Sequence, residues 1–167
     1  QLFSPDTELG RWLATRNTML RIGRNLFVHA GLSARLLERD LEMDTLNARM
    51  SEGLYRTSKE RREDPTLEFL YRSAGPVWYR GMVCADEKYD PLTPEQTDAL
   101  LRRYDADRLL VGHTIFPDIS TFHDGRVIAV NVQNERNRRK NRGRAVLIEG
   151  SRISVIGNRG VKRVLEE

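Results

Sequence analysis

Apolar and polar positions alternate in short runs near the start of the chain. A helical spacing of apolar residues follows Asp6 or Thr7, and two strand-like runs cover residues 19–22 and 25–29 on either side of a Gly23 turn. Alternating or apolar runs of about this length, bounded by glycine, are typical of strands. The pattern therefore predicts a helix to about residue 16, then a hairpin, then a further helix capped by Ser33.

The middle of the chain has a different pattern. Residues 42–64 are charged and weakly periodic, which predicts a helical excursion, over about 34–75, that covers a site rather than filling a core. Further on, Thr93 precedes Pro94 and stands three residues before Gln96, the arrangement of a capping box with proline at the first helical position. This signal predicts a helix to about residue 104, followed by a buried strand over 107–113.

The last third is predicted to form hairpins. One surrounds Asp124-Gly125, a strong hairpin turn signal, and another joins runs 144–148 and 153–156. The elements together predict an α/β fold: half of a two-sheet β-sandwich flanked by helices, with C-terminal antiparallel hairpins. A chain of 167 residues is long enough for one such domain over 1–167.

Composition narrows the class of protein. No apolar run approaches the roughly 18 residues of a membrane span, and the single Cys84 excludes an internal disulfide. The net charge of +4 suits an anionic partner. Much of the excess lies in one basic segment: Arg136, Arg138, Arg139, Lys140, Arg142 and Arg144. This segment is interpreted as a solvated loop, and because no aromatic residue is interleaved, nucleic acid is not the favoured partner.

Two of the three histidines follow apolar runs directly. His29 ends one predicted strand and His113 ends another, and each is followed by small or hydroxylated residues. Two imidazoles presented at strand ends are suitable ligands for one shared metal site, whereas the alternative is a pair of core histidines bonded to backbone carbonyls. His123 precedes the Asp124-Gly125 turn and is predicted to be exposed and not a ligand.

Three motifs resemble a known family. Residues 28–33 (VHAGLS) and 111–114 (VGHT) resemble the last two metal-ligand motifs of calcineurin-like metallophosphoesterases of the phosphoprotein-phosphatase type, and Trp78-Tyr79-Arg80-Gly81 resembles their Shewanella-like bacterial branch. The resemblance implies a hydrolase of phosphomonoesters, including phosphoproteins. It also implies two divalent metal ions (Mn, Fe or Zn), with His29 and His113 as ligands of the second.

The middle motif suggests how substrate is bound. Arg80 offers a planar fork that matches two phosphoryl oxygens, so it is the candidate catalytic, phosphate-binding residue. Trp78 and Tyr79 are candidates for holding Arg80 or for shaping the pocket wall. The alternatives are a surface ion pair for Arg80 and core packing for Trp78.

The family's first three metal-ligand motifs (Asp-x-His, Gly-Asp-x-x-Asp-Arg-Gly and Gly-Asn-His-Glu) do not occur, and the chain begins with Gln1. We therefore expect a C-terminal half whose N-terminal metal-binding half is absent, inactive by itself. Three other functions stay open: a dinucleoside polyphosphate hydrolase, a non-catalytic scaffold, and a basic nucleic-acid-binding module.

Overall fold

A computed structural model describes residues 2–140 and 142–166. The helices are α1 Glu8–Ala14, α2 Arg35–Arg39, α3 Met43–Gly53, α4 Ser58–Arg62, α5 Pro65–Tyr71, α6 Pro94–Arg103 and α7 Asn134–Arg139, with 3₁₀ turns at Glu87–Tyr89 and Asn158–Gly160. The strands are β1 Met19–Ile22, β2 Asn25–Val28, β3 Arg108–Val111, β4 Ser120–Phe122, β5 Val127–Ala129, β6 Ala145–Glu149, β7 Arg152–Ile156 and β8 Lys162–Glu166.

The first five strands form one mixed sheet in the order β1-β2-β3-β5-β4. Strands β2, β3 and β5 run parallel, and β1 and β4 pair with them in antiparallel fashion at the two edges. Val28 of β2 stands opposite Val111 of β3. The carboxyl ends of β2 and β3 therefore lie side by side at one edge of the sheet.

The two faces of this sheet are covered differently. On one face, Leu110 and Ile128 pack with Ile153 and Val155 of the three-stranded antiparallel sheet β6-β7-β8. On the other face, strand residues such as Leu109 join a larger core that includes residues from several helices: Leu36, Leu46, Met50, Phe69, Leu70, Leu100 and Leu101. Burial on both faces explains why the central parallel strands read as continuous apolar runs.

Much of the predicted secondary structure is present. The α/β class is confirmed, as are the hairpin β1–β2, the Thr7 cap of α1 and the Thr93–Gln96 capping box of α6. The antiparallel hairpins near the C-terminus are β4–β5 and β6–β7, and β8 extends the latter into a sheet. The narrower assignment to a metallophosphatase-type sandwich is not supported by the comparisons reported below.

Three local predictions are wrong. Ser33 is not a helix cap; it is fully buried, and its hydroxyl donates to the carbonyl oxygen of Ala74 at 2.8 Å. The excursion is helical as predicted, but Leu46 and Met50 contribute to the core rather than only covering a site. The basic segment is not simply a loop, because Asn134–Arg139 is a helix.

None of the helices in the described ranges is both long enough and apolar enough to cross a membrane.

Candidate functional site

The paired carboxyl ends of β2 and β3 bring two histidines together. His29 follows β2 directly, and His113 comes two residues after β3. The amide of Gly112 donates to the carbonyl oxygen of His29 at 2.8 Å, which ties the two strand ends to each other. Nε2 of His29 lies 3.1 Å from Nδ1 of His113, a hydrogen-bonded pair in which one ring donates and the other accepts.

His113 has a strained backbone and, within the described residues, an unpaired ring nitrogen. Its φ of +58° lies in the left-handed region, which costs energy for a residue with a side chain and is concentrated at functional sites. Its Nε2 is buried without a hydrogen-bond partner among the described residues. Burial lowers the pKa of His113, and the nearby Arg80 and His29 lower it further. The neutral form of the ring is therefore favoured.

Arg80 lies next to this pair on the loop that follows α5. Its Nη1 donates to Oγ1 of Thr114 at 3.0 Å, so the residue after His113 fixes the guanidinium. Arg80 is half-buried, and in the described part of the chain no carboxylate forms an ion pair with it. The alternative of a surface ion pair therefore finds no partner there, and most of the guanidinium donors remain free to bind an anion.

The two aromatic residues before Arg80 have different environments. Trp78 is 55% exposed, and its ring meets His113 edge-on with centroids 5.5 Å apart. Tyr79 is 2% exposed, and its hydroxyl donates to the carbonyl oxygen of Asp90 at 2.5 Å. Burial raises the pKa of the Tyr79 phenol. Trp78 thus borders His113 at the surface, whereas Tyr79 anchors the loop that carries Arg80.

Glycine at position 81 is required by this anchoring. A Cβ atom there would lie 2.3 Å from the Tyr79 hydroxyl and 2.5 Å from the carbonyl oxygen of Asp90. Either contact would push the loop away from its position. Gly81 therefore allows the close packing that sets the position of Arg80.

His123 does not behave as predicted. It is half-buried rather than exposed, and both ring nitrogens have partners: Thr97 Oγ1 at 3.2 Å and the carbonyl oxygen of Met82 at 3.1 Å. Because Met82 lies two residues after Arg80, His123 links the β4–β5 hairpin to the loop of the candidate site. With both nitrogens engaged, it is a structural histidine in this arrangement.

A basic cleft extends from Arg80 over the helical excursion. Its volume is about 570 Å³, and its cationic lining side chains are Arg35, Arg61, Arg62, Arg72, Arg80 and Lys88. Sequence reasoning missed all of these except Arg80. They are scattered over more than fifty positions and form no run, so only the folding of α2, α4 and α5 brings them to one surface.

The described residues contain no group of three or more histidine, cysteine, aspartate or glutamate side chains placed to hold a metal ion. His29 and His113 alone supply two donors. The donor set of this part of the chain therefore does not support the predicted pair of Mn, Fe or Zn ions.

Comparison with known proteins adds a finding independent of the site geometry. No protein-family model matches the chain, and no curated protein matches it. Among solved structures, it is similar to a cold-active protein tyrosine phosphatase, with 29% identity and a TM-score of 0.88 over 99% of this chain and 46% of the other. It is also similar to a point mutant of a cold-active protein tyrosine phosphatase and to the enzyme of a psychrophilic Shewanella species. Each shows 28% identity and a TM-score of 0.87, over 98% of this chain and 47% of the other.

These similarities correct the functional prediction. The neighbours are described as protein tyrosine phosphatases, so we withdraw the assignment to calcineurin-like metallophosphoesterases, the two-metal hydrolysis and the metal cofactors derived from it. A phosphorylated substrate remains consistent with the neighbours. The expectation of an absent N-terminal half that leaves the chain inactive by itself is not supported by these comparisons. The chain spans about half the length of the solved structures that it matches, and over that length it is similar to protein tyrosine phosphatases.

Proposed function

We propose that this chain forms the phosphate-binding part of a phosphatase that hydrolyses phosphotyrosine esters. The observation that carries the proposal is the half-buried Arg80, without a carboxylate partner in the described residues, next to the His29–His113 pair. A guanidinium in this setting binds two phosphoryl oxygens through parallel hydrogen bonds. The similarity to protein tyrosine phosphatases supports the choice of substrate class.

The surrounding residues fit an aromatic phosphomonoester. Exposed Trp78 stands beside the histidine pair and offers an apolar wall to the tyrosine ring of the substrate. Hydrolysis adds water across the bond between phosphorus and the phenolic oxygen, releasing phosphate and tyrosine. One imidazole of the pair accepts a proton from the attacking water, and the phenolic oxygen regains a proton from a protonated imidazole or from solvent.

The Arg80→Gln variant tests this proposal on the full 167-residue chain. Glutamine retains one donor group but neither the charge nor the fork, so we expect affinity for a phosphotyrosine peptide to fall by about 10². Calorimetry measures that affinity, and phosphate release measures turnover. Arg138→Gln, an exposed residue of α7, is the matched control and should leave both unchanged. Unchanged affinity in a folded Arg80→Gln variant contradicts the proposal.

Two further measurements distinguish a phosphotyrosine phosphatase from the dinucleotide hydrolase and from a metal-dependent enzyme. A phosphoserine peptide and a dinucleoside polyphosphate are compared with the phosphotyrosine peptide, and a clear preference for the dinucleotide contradicts the proposal. Phosphate release is also measured with a chelator and with added Mn²⁺. Turnover that depends on added Mn²⁺ would reinstate the metal-dependent chemistry that the comparisons contradict.

A further inference from the structure

We infer that the basic cleft beside Arg80 selects phosphotyrosine substrates whose neighbouring residues are acidic. The inference rests on the proposed function, because it places the phosphoryl group at Arg80. The cleft is continuous with that residue, since Trp78, Arg80 and Tyr89 line the same cavity as the helical arginines. A peptide bound through its phosphotyrosine therefore extends along the cleft.

The positive charge of the cleft is only partly neutralised. Six cationic side chains line it, whereas its carboxylates are Glu68 and Asp90. Glu68 pairs with Arg72 at 3.2 Å, and Lys88 pairs with Asp86 at 2.8 Å. Acidic partners thus offset only some of the cations.

Arg61 is committed to the fold rather than to a ligand. Its Nε and Nη2 donate to the carbonyl oxygens of Gly53 and Leu54 at 2.8 and 3.0 Å. Its guanidinium also lies over the Tyr71 ring, 3.9 Å from the centroid. These contacts hold α4 against the end of α3 and against α5, so they fix the wall of the cleft.

Arg35 and Arg62 are left as the cations that face a ligand together with Arg80. Both are exposed, and their guanidinium groups have no ion pair or hydrogen bond in residues 2–140 and 142–166. They belong to two different helices, α2 and α4, that line one cavity. Carboxylates on both sides of a bound phosphotyrosine would meet these two guanidinium groups.

The shape and composition of the cleft favour a peptide over nucleic acid. A volume of about 570 Å³ accommodates a few residues of an extended peptide but not a duplex. Single-stranded nucleic acid needs aromatic side chains on which successive bases stack. Most aromatic rings that line the cleft lie close to Arg80, and the ring of Tyr71 lies beneath Arg61. They therefore do not form a row between Arg35 and Arg62 on which bases could stack.

A pair of matched peptides tests the inference. One carries phosphotyrosine flanked by aspartates, and the other carries the same phosphotyrosine flanked by asparagines. At low ionic strength, we expect the chain to bind the acidic peptide about tenfold more tightly, because each partly solvated charge pair contributes a factor of about three. The preference should fall in higher salt, since both pairs are near the surface.

Charge reversal tests whether Arg35 and Arg62 cause the preference for the acidic peptide. In the double variant Arg35→Glu/Arg62→Glu, the ratio of the two affinities should fall to about one or below. Lys59→Glu is the control because it makes the same charge change on α4 as Arg62→Glu, half that of the double variant, but lies outside the cleft, and it should keep the tenfold ratio. Melting curves confirm that each variant is folded.

The outcomes separate the two proposals. Equal binding of both phosphotyrosine peptides by the unmodified chain overturns the cleft inference and leaves the phosphatase proposal standing. Failure to bind either peptide overturns the phosphatase proposal and the inference with it. A tenfold ratio that survives in the double variant overturns the assignment to Arg35 and Arg62. Tighter binding of single-stranded DNA than of the acidic peptide, lost in the double variant, overturns the peptide as the occupant.

Discussion

His113 and His123 share an unusual backbone but have opposite surroundings. Both have positive φ angles, +58° and +51°, and both lie near the ends of strands of the same sheet. His123 bonds through both ring nitrogens, to Thr97 and Met82, whereas His113 leaves a buried Nε2 without a partner in the described residues. The same backbone conformation is thus accompanied by two ring hydrogen bonds at His123 and by a buried ring nitrogen at His113 that is unpaired in the described part of the chain.

The largest expected effect comes from His113→Asn. Asparagine tolerates the left-handed backbone but lacks the imidazole, so the substitution removes one member of the proposed proton-transfer pair without adding strain. We expect phosphate release from a phosphotyrosine peptide to fall by about 10² or more, within the range for loss of an acid–base group. The free energy of unfolding in urea should change by less than about 1 kcal/mol, as expected when no structural hydrogen bond beyond the one to His29 is lost.

His123→Asn should lower the stability of the fold while leaving substrate binding almost unchanged. Loss of the links to Thr97 and Met82 should lower the free energy of unfolding by about 1–2 kcal/mol. Affinity for the phosphotyrosine peptide in the folded protein should stay within about twofold. If this variant loses as much phosphate release as His113→Asn without loss of stability, the contrast between the two histidines is wrong.

The smallest effect concerns titration. Burial, Arg80 and His29 lower the pKa of His113 from its usual 6.5, so an NMR titration should place its midpoint below that value. The unfolded chain takes up this proton first, so acidification below about pH 6.5 weakens the folded state until His113 itself is protonated. His29→Ala should move the His113 midpoint upwards. A midpoint above 6.5 in the unmodified chain contradicts the described environment.

Local signals explain what the sequence predicted correctly. The capping box at Thr93 and the turn at Gly23 depend on neighbouring residues, so they could be identified without the fold. The meeting of His29 and His113 was also predictable, because the ends of two buried strands tend to lie at one edge of a sheet. Arg80 was identified from its motif, although its role remains a proposal.

Long-range contacts explain what the sequence could not predict. Ser33 satisfies the carbonyl of Ala74, forty-one positions away, and His123 bonds to Met82, also forty-one positions away. No local pattern distinguishes these residues from a helix cap or an exposed turn. The family assignment was also wrong, because it depended on three short motifs. The metal site that those motifs implied is not supported by the donor side chains of the described residues or by the comparisons with solved structures.

The adjacency of β2 and β3 has a consequence for folding. The two histidines are separated by eighty-four positions, and α2–α6 lie between their strands. Pairing these strands closes a long loop, a step whose entropic cost is paid before the contacts that compensate it can form. The imidazole pair therefore exists only in molecules that have completed this closure. An NMR signal from Trp78 beside His113 would therefore report the formation of this strand pair.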